Sequence, residues 1–213
     1  MSGPSRVVLD IEVYPPSLEG KFHWQELFGN EGPVEIEIGF GKGRFLIQAA
    51  ERFCDVNYLG IDRAQRYLRT AKERLGKRGL SNVRLIKSDA PYAIREYIPS
   101  NSVQAFHIYF PDPWWKKRHL KRRIFEPFFA TELAKTLQPG GKLYLASDVG
   151  AYFELIQECL AQNTPFTSLP HPSDLMAEAG YTPSNFEVKL ARAGHTIHRA
   201  VYQNPLRTSG QKP

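Results

Sequence analysis

From Pro33 onward, apolar positions fall into short runs separated by longer amphipathic stretches. VEIEI (34–38) carries β-branched residues at alternate positions and predicts a strand. The glycine-rich GFGKG (39–43) follows, and then RFLIQAAERF (44–53) reads as a helix. NYLGI (57–61) predicts a second strand, followed by a charge-rich helix over 64–79 that Gly79 ends. VRLIK (83–87) predicts a third strand with a short helix behind it, and VQAFHIYF (103–110) a fourth. IFEPFFATELAKTL (124–137) is helical, with Pro127 accommodated in its first turn. Pro139-Gly140-Gly141 predicts a turn, KLYLAS (142–147) a fifth strand, and 149–161 a further helix. Strands alternating with helices imply parallel βαβ units: an α/β fold with a mostly parallel sheet and helices on both faces. After Asn163 the rhythm changes. FTSLP, NFEVKLAR and TIHRAVY lack helices of crossover length between all of them, which predicts an antiparallel C-terminal hairpin. The expected organisation is an N-terminal arm over 1–32, a single domain over 33–205 and a disordered tail over 206–213.

A chain of 213 residues supports one domain with a full core. Its 42% hydrophobic and 23% charged residues exclude disorder of the whole chain. It contains no run of about eighteen apolar residues, so no membrane-spanning helix is expected. The start MSGPSRVVLD lacks the apolar stretch of a secretory signal. Cys54 and Cys159 are far apart, which is neither a disulfide framework nor a metal-ligand spacing, so a reducing, cytoplasmic setting without a metal is expected. Charge adds more. Residues 116–123, KKRHLKRR, hold six basic residues and no acid, equal to the whole excess of 28 basic over 22 acidic residues. One basic patch on an otherwise neutral body fits a polyanionic partner. A solvated charge run on a helix face is the alternative.

In open α/β sheets, ligands bind beyond the carboxyl ends of the strands. Glu37 lies within the end of the first strand, and Gly39, Gly41 and Gly43 follow that strand. Asp62, Asp89, Asp112 and Asp148 follow the next four strands. A single such aspartate is commonly only a helix cap. A series of them at consecutive strand ends points to a site. The glycine spacing is G-x-G-x-G, and Arg44 stands where a dinucleotide fingerprint needs its third glycine, which disfavours an NAD-dependent oxidoreductase. Carboxylates here suit a nucleoside with free ribose hydroxyls and repel pyrophosphate. S-adenosylmethionine fits, with Asp62 on the ribose, Asp89 beside the adenine, and Glu37 and the glycine loop near the methionine part. The fourth strand ends in YFPDPWW, where Pro111 and Pro113 restrict the backbone on both sides of Asp112. Trp114 and Trp115 either fill the core or stack on a base. His107 reads as a core histidine, and His195 and His198 have no third ligand nearby.

These motifs resemble the bacterial tRNA (guanine-N7)-methyltransferases over nearly the whole chain. WQELFGN (24–30), EIGFGKG (37–43), FPDPWWKKRHLKRR (110–123), Asp148 and SNFE (184–187) carry the resemblance. It implies a Rossmann-like class I methyltransferase fold, S-adenosylmethionine as cofactor, tRNA as partner, and methylation of the variable-loop guanine at position forty-six. It further implies a cofactor site of Glu37, Gly39, Gly41, Gly43, Asp62, Asp89 and Asp112, with Asp112 also catalytic. Lys116, Asp148, Ser184, Asn185, Phe186 and Glu187 are implied to bind the substrate, and Arg118, His119, Leu120, Lys121, Arg122 and Arg123 to contact RNA. Two departures stand out: Ser184 replaces the family threonine, and the N-terminal arm is short and proline-rich. Two rival readings remain: a methyltransferase of the same fold acting on protein or small molecules, and an RNA-binding module with a vestigial cofactor site.

Overall fold

The computed structural model describes residues 11–14, 20–114, 123–183 and 185–206. Among them, one seven-stranded sheet organises the chain in the order β3-β2-β1-β4-β5-β7-β6. Its strands are β1 (Val34–Ile38), β2 (Asn57–Asp62), β3 (Val83–Lys87), β4 (Val103–Tyr109), β5 (Leu137–Ser147), β6 (Thr167–Leu169) and β7 (His198–Gln203). The first five run parallel, β7 is antiparallel to β5, and β6 is antiparallel to β7. The helices are α1 (Trp24–Phe28), α2 (Arg44–Arg52), α3 (Gln65–Gly76), α4 (Ala90–Tyr97), α5 (Pro127–Thr136), α6 (Gly150–Asn163), α7 (Pro172–Glu178) and α8 (Asn185–Arg192). Chain order reverses between β1 and β4, which makes the carboxyl ends of these two strands the switch point where such sheets bind ligands.

Every residue of β1 and β2 is buried. Strands covered on both faces read as nearly continuous apolar runs, as NYLGI does. On one face, Val34, Ile36 and Ile38 join Ile61, Phe106 and Ile108 and the α4–α6 side chains Ile94, Phe129 and Tyr152. On the other, Leu46 and Ile47 of α2 and Leu68 and Leu75 of α3 close over Tyr58 and Leu85. The alternation in VEIEI therefore does not separate core from solvent. It places Glu35 and Glu37 inside, on one face of the sheet.

Residues ahead of Pro33 contribute to this body. Phe22 and Phe28 belong to the first cluster. Ile11 and Val13 bracket Leu85 with backbone hydrogen bonds of 2.7 and 2.8 Å, which covers the open edge of β3. Two further features differ from the sequence expectation. Pro139-Gly140-Gly141 is not a turn ahead of a strand but an irregularity within β5, where the pairing passes from Val103–Leu137 to Ala105–Lys142. The antiparallel closing pair is present as β6 and β7, but α7 and α8 join them in place of a hairpin turn. NFEVKLAR is helical: its apolar residues alternate like a strand's, yet the helix buries Glu187 and sets Lys189 and Arg192 in the last turn, where they complement the helix dipole.

Candidate active site

Strand register brings the acids to one edge. Ile38 lies beside Ile61 and Ile108, Ile61 beside Ile86, and Ile108 beside Leu145. The carboxyl ends of the five parallel strands are therefore level, and the segments bearing Gly39–Gly43, Asp62, Asp89, Asp112 and Asp148 leave them on the same side. The Gly39 amide donates to the Ile61 carbonyl at 2.8 Å. Gly39, Gly41 and Gly43 have φ of +77°, +51° and +68°, conformations that favour glycine. A side chain at Gly39 would meet nothing within 4 Å, so the backbone here is open to a ligand, whereas one at Gly43 would lie 3.1 Å from Ala71 of α3. The Asp62 carboxylate accepts from the Gly41 amide at 3.1 Å and from the Ala64 amide at 2.8 Å. It thus holds the glycine loop as well as facing the site. Asp89 is exposed at the start of α4.

The two buried acids of β1 differ sharply. Glu35 accepts from Gln104 at 3.0 Å and pairs with His107 Nε2 at 2.9 Å. His107 is fully buried, and its Nδ1 meets the Tyr109 hydroxyl at 2.8 Å. Burial raises the Glu35 carboxyl, but His107 and Gln104 outweigh it and leave it below its ordinary value. Among the described residues, Glu37 has no histidine or amide side chain of this kind beside it. One of its carboxylate oxygens is buried without a hydrogen-bond partner. Burial first, then the charge of Asp62, push Glu37 up to about 8, against a backbone hydrogen bond from Leu46. Glu35 is a satisfied structural group. Glu37 is a buried acid with one oxygen left without a partner among the described residues.

The loop after β4 is strained on both sides of Asp112. Phe110 and Trp114 have φ of +53° and +43°, a region that non-glycine residues rarely adopt. The Phe110 amide continues the ladder to the Ala146 carbonyl at 2.8 Å. The Arg63 guanidinium lies 5.9 Å from the Trp114 ring. Asp112 itself is exposed. Trp115, Lys116, Arg118, His119, Leu120, Lys121 and Arg122 lie outside the described residues. Arg123 is half-buried and donates from Nε to the Pro113 carbonyl at 2.7 Å.

On the far side of the edge, Asp148 is half-buried ahead of α6. Ser184, and the side chains of Asn185 and Phe186, lie outside what is described. Glu187 is 2% exposed, accepts from the Tyr181 hydroxyl and is paired with Arg199 of β7. Burial and then Glu187 push the Tyr181 hydroxyl well above its ordinary range, so it acts as a donor. Arg44 reaches from the start of α2, next to the glycine loop, to the Pro183 carbonyl at 3.2 Å. His107 is the core histidine that the sequence predicts, whereas Glu35, Tyr181, Arg199 and the second role of Arg44 escaped sequence reasoning. Each acts through a partner from 6 to 139 residues away, and only Arg44, a cation at a helix N-terminus, is unusual in its local sequence.

Fold and site together define a Rossmann-like methyltransferase. Residues 31–200 match the family described as "Putative methyltransferase". The chain is 36% identical over 206 residues to the tRNA (guanine-N(7)-)-methyltransferase of Rhodopirellula baltica, covering 92% of this chain and 76% of that one. It is 37% identical over 194 residues to the enzyme of the same name from Syntrophotalea carbinolica, covering 90% and 83%. Among solved structures, it resembles Haemonchus contortus phosphoethanolamine N-methyltransferase 2 in complex with S-adenosyl-L-methionine, with TM-score 0.52 and 15% identity, over 86% of this chain and about half (51%) of that one. That likeness shows the shared fold. The chain belongs to the tRNA (guanine-N7-)-methyltransferase family.

Proposed function

We infer that the protein methylates N7 of the guanine at position forty-six in the variable loop of tRNA, using S-adenosylmethionine. The observation that carries this reading is Glu37: a buried carboxylate with an unpartnered oxygen beside an open glycine loop. An unpaired buried acid is costly, and a ligand bearing an ammonium group removes that cost. Glu37 and the loop from Gly39 to Gly43 would hold the amino-acid end of the cofactor, Asp62 the ribose hydroxyls and Asp89 the adenine. When bound, the cofactor supplies a methyl group on a sulfonium. Nothing in that set calls for a metal.

Guanine N7 carries a lone pair and needs no deprotonation, so the chain's task is positioning and charge stabilisation. In-line positioning contributes about 7–11 kcal/mol in favourable cases. The purine gains positive charge as N7 is alkylated, and a preset carboxylate beside it lowers the barrier. Asp112 is exposed and sits in a loop whose backbone is strained on either side. Asp148 and the segment 184–187 would read the same base, with Glu187 acting from inside as the anchor of that segment. The major groove of A-form RNA, where N7 lies, is too narrow for side chains, so the guanine is met in a loop or turned out. Lys116 and the basic run up to Arg122 supply affinity for the tRNA backbone. Free Cys54 and Cys159 agree with a reducing, cytoplasmic setting.

The test is to incubate protein, tRNA and S-adenosylmethionine and to map the modified nucleotide by mass spectrometry. N7-methylguanine at position forty-six is expected. Methyl transfer to protein, with none to tRNA, would refute the reading.

A further inference from the structure

Arg123 closes the basic run and, by sequence, reads as one more phosphate contact. Its geometry says otherwise. Its Nε–H donates to the carbonyl of Pro113, ten residues back, at 2.7 Å. Its guanidinium lies 5.2 Å from the centre of the Tyr152 ring, a side chain 1% exposed on α6. That carbonyl belongs to the residue that follows Asp112. Phe110 and Trp114, the two left-handed residues, bracket the same stretch, and such conformations persist only where their surroundings hold them. Each part of the stretch is held differently: Phe110 by Ala146 of β5, Trp114 by the guanidinium of Arg63, and Pro113 by Arg123. Arginine suits this place. Its planar fork lies over an aromatic face while Nε–H points along the plane, and a lysine ammonium does not do both.

We propose that Arg123 is a positioning residue, a clasp that ties the end of the basic run back to Pro113 and presets the Asp112 carboxylate, and not a contact to RNA. The clasp itself is a statement about the loop. Its consequence for turnover rests on the reading of Asp112 as catalytic.

The experiment compares the full-length parent with Arg123→Met and Arg123→Lys. Amide hydrogen exchange of peptides spanning 108–114 is expected to speed up in both variants. With tRNA and S-adenosylmethionine saturating, the single-turnover rate is expected to fall by about a hundredfold in Arg123→Met, the order that a displaced reacting group costs, and measurably in Arg123→Lys. The dissociation constant for S-adenosylmethionine and the salt slope of tRNA binding are expected to stay at the parent's values. A phosphate contact predicts the opposite. Arg123→Lys would behave like the parent, and Arg123→Met would lose roughly 0.7–0.9 of salt slope with its saturated rate intact. Either result overturns the clasp, as does unchanged exchange over 108–114. Arg123→Lys keeps the charge and the stem, so it carries the test should Arg123→Met fail to fold. The exchange readout does not depend on tRNA methylation. Failure of the functional reading shows separately, as absence of N7-methylguanine with the parent protein.

Discussion

Glu35 and Glu37 stand two residues apart on the same face of β1, and their different surroundings give them different roles. Glu37 has its ordinary value of 4.5 raised to about 8. Between those values the folded, cofactor-free protein keeps a proton that the unfolded chain has released. The stabilisation this group contributes is therefore complete below 4.5 and is lost as pH rises through about 8. A cationic ligand reverses the balance by favouring the carboxylate. Binding of S-adenosylmethionine at pH 7 is accordingly expected to release a proton, and its affinity to rise with pH toward 8 in the parent but not in Glu37→Gln. Titration calorimetry in two buffers of different ionisation enthalpy measures this directly, and zero proton release would remove Glu37 from the cation's site. Asp112 calls for a different measurement. Asp112→Asn keeps the shape and removes the charge, so turnover is expected to fall far more than affinity for the cofactor. Unchanged turnover in a folded variant would leave orientation alone as the account. The acids at the strand ends were legible in sequence because an aspartate directly after an apolar run is a local signal. The contrast between Glu35 and Glu37 was not, since it depends on His107 of β4, 72 residues away.

At the scale of elements, two contacts set the walls of the site. The glycine loop sits tightly on α3. Gly43→Ala would combine a φ of +68° with a new methyl 3.1 Å from Ala71. It is expected to destabilise the protein by about 1–2 kcal/mol, the left-handed penalty alone, and to weaken the cofactor, as read by thermal melts with and without it. An unchanged melting temperature would mean that the loop is free to shift away from α3. On the other wall, α8 is anchored by Glu187 between Tyr181 and Arg199. Arg199→Met leaves a buried carboxylate short of its ion partner and is expected to cost about 1–3 kcal/mol in urea unfolding. The accompanying loss of activity is expected to fall on KM for tRNA more than on kcat, because the segment this pair anchors is the one we propose to bind the substrate. Neither wall was legible in the chain. NFEVKLAR carries a period of two in its apolar residues, which outvotes its helical signals until the tertiary contact of Glu187 is known. The Gly43–Ala71 approach needs the packing of α2 on α3.

Along the whole chain, charge is segregated: acids follow the strands, where we propose that cofactor and guanine bind, and the basic residues of 116–123 form one run, which we propose meets the tRNA backbone. Removing Arg123 from that run leaves Arg118, Lys121 and Arg122 as the natural set to replace together with Ala. The log–log salt slope of tRNA binding is expected to fall by roughly 0.7–0.9 for each phosphate that is no longer neutralised, equally for all tRNAs, with cofactor binding unchanged. Fluorescence anisotropy across a salt series reads the slope, and parent-like values would return the run to the status of a solvated surface. By itself the sequence determined the parallel α/β core, the glycine loop, the acids that follow the strands and the basic run. All of these are written in neighbouring residues, through hydrophobic period, glycine spacing and charge clustering. Only the tertiary structure decided which buried acid has a histidine partner, that Glu187 faces inward to Arg199, that described residues before Pro33 complete the core and the β3 edge, and that Arg123 turns back to Pro113. Each of those depends on residues distant in sequence meeting across the sheet or around a loop, and a partner chosen by packing leaves no periodic trace in the chain.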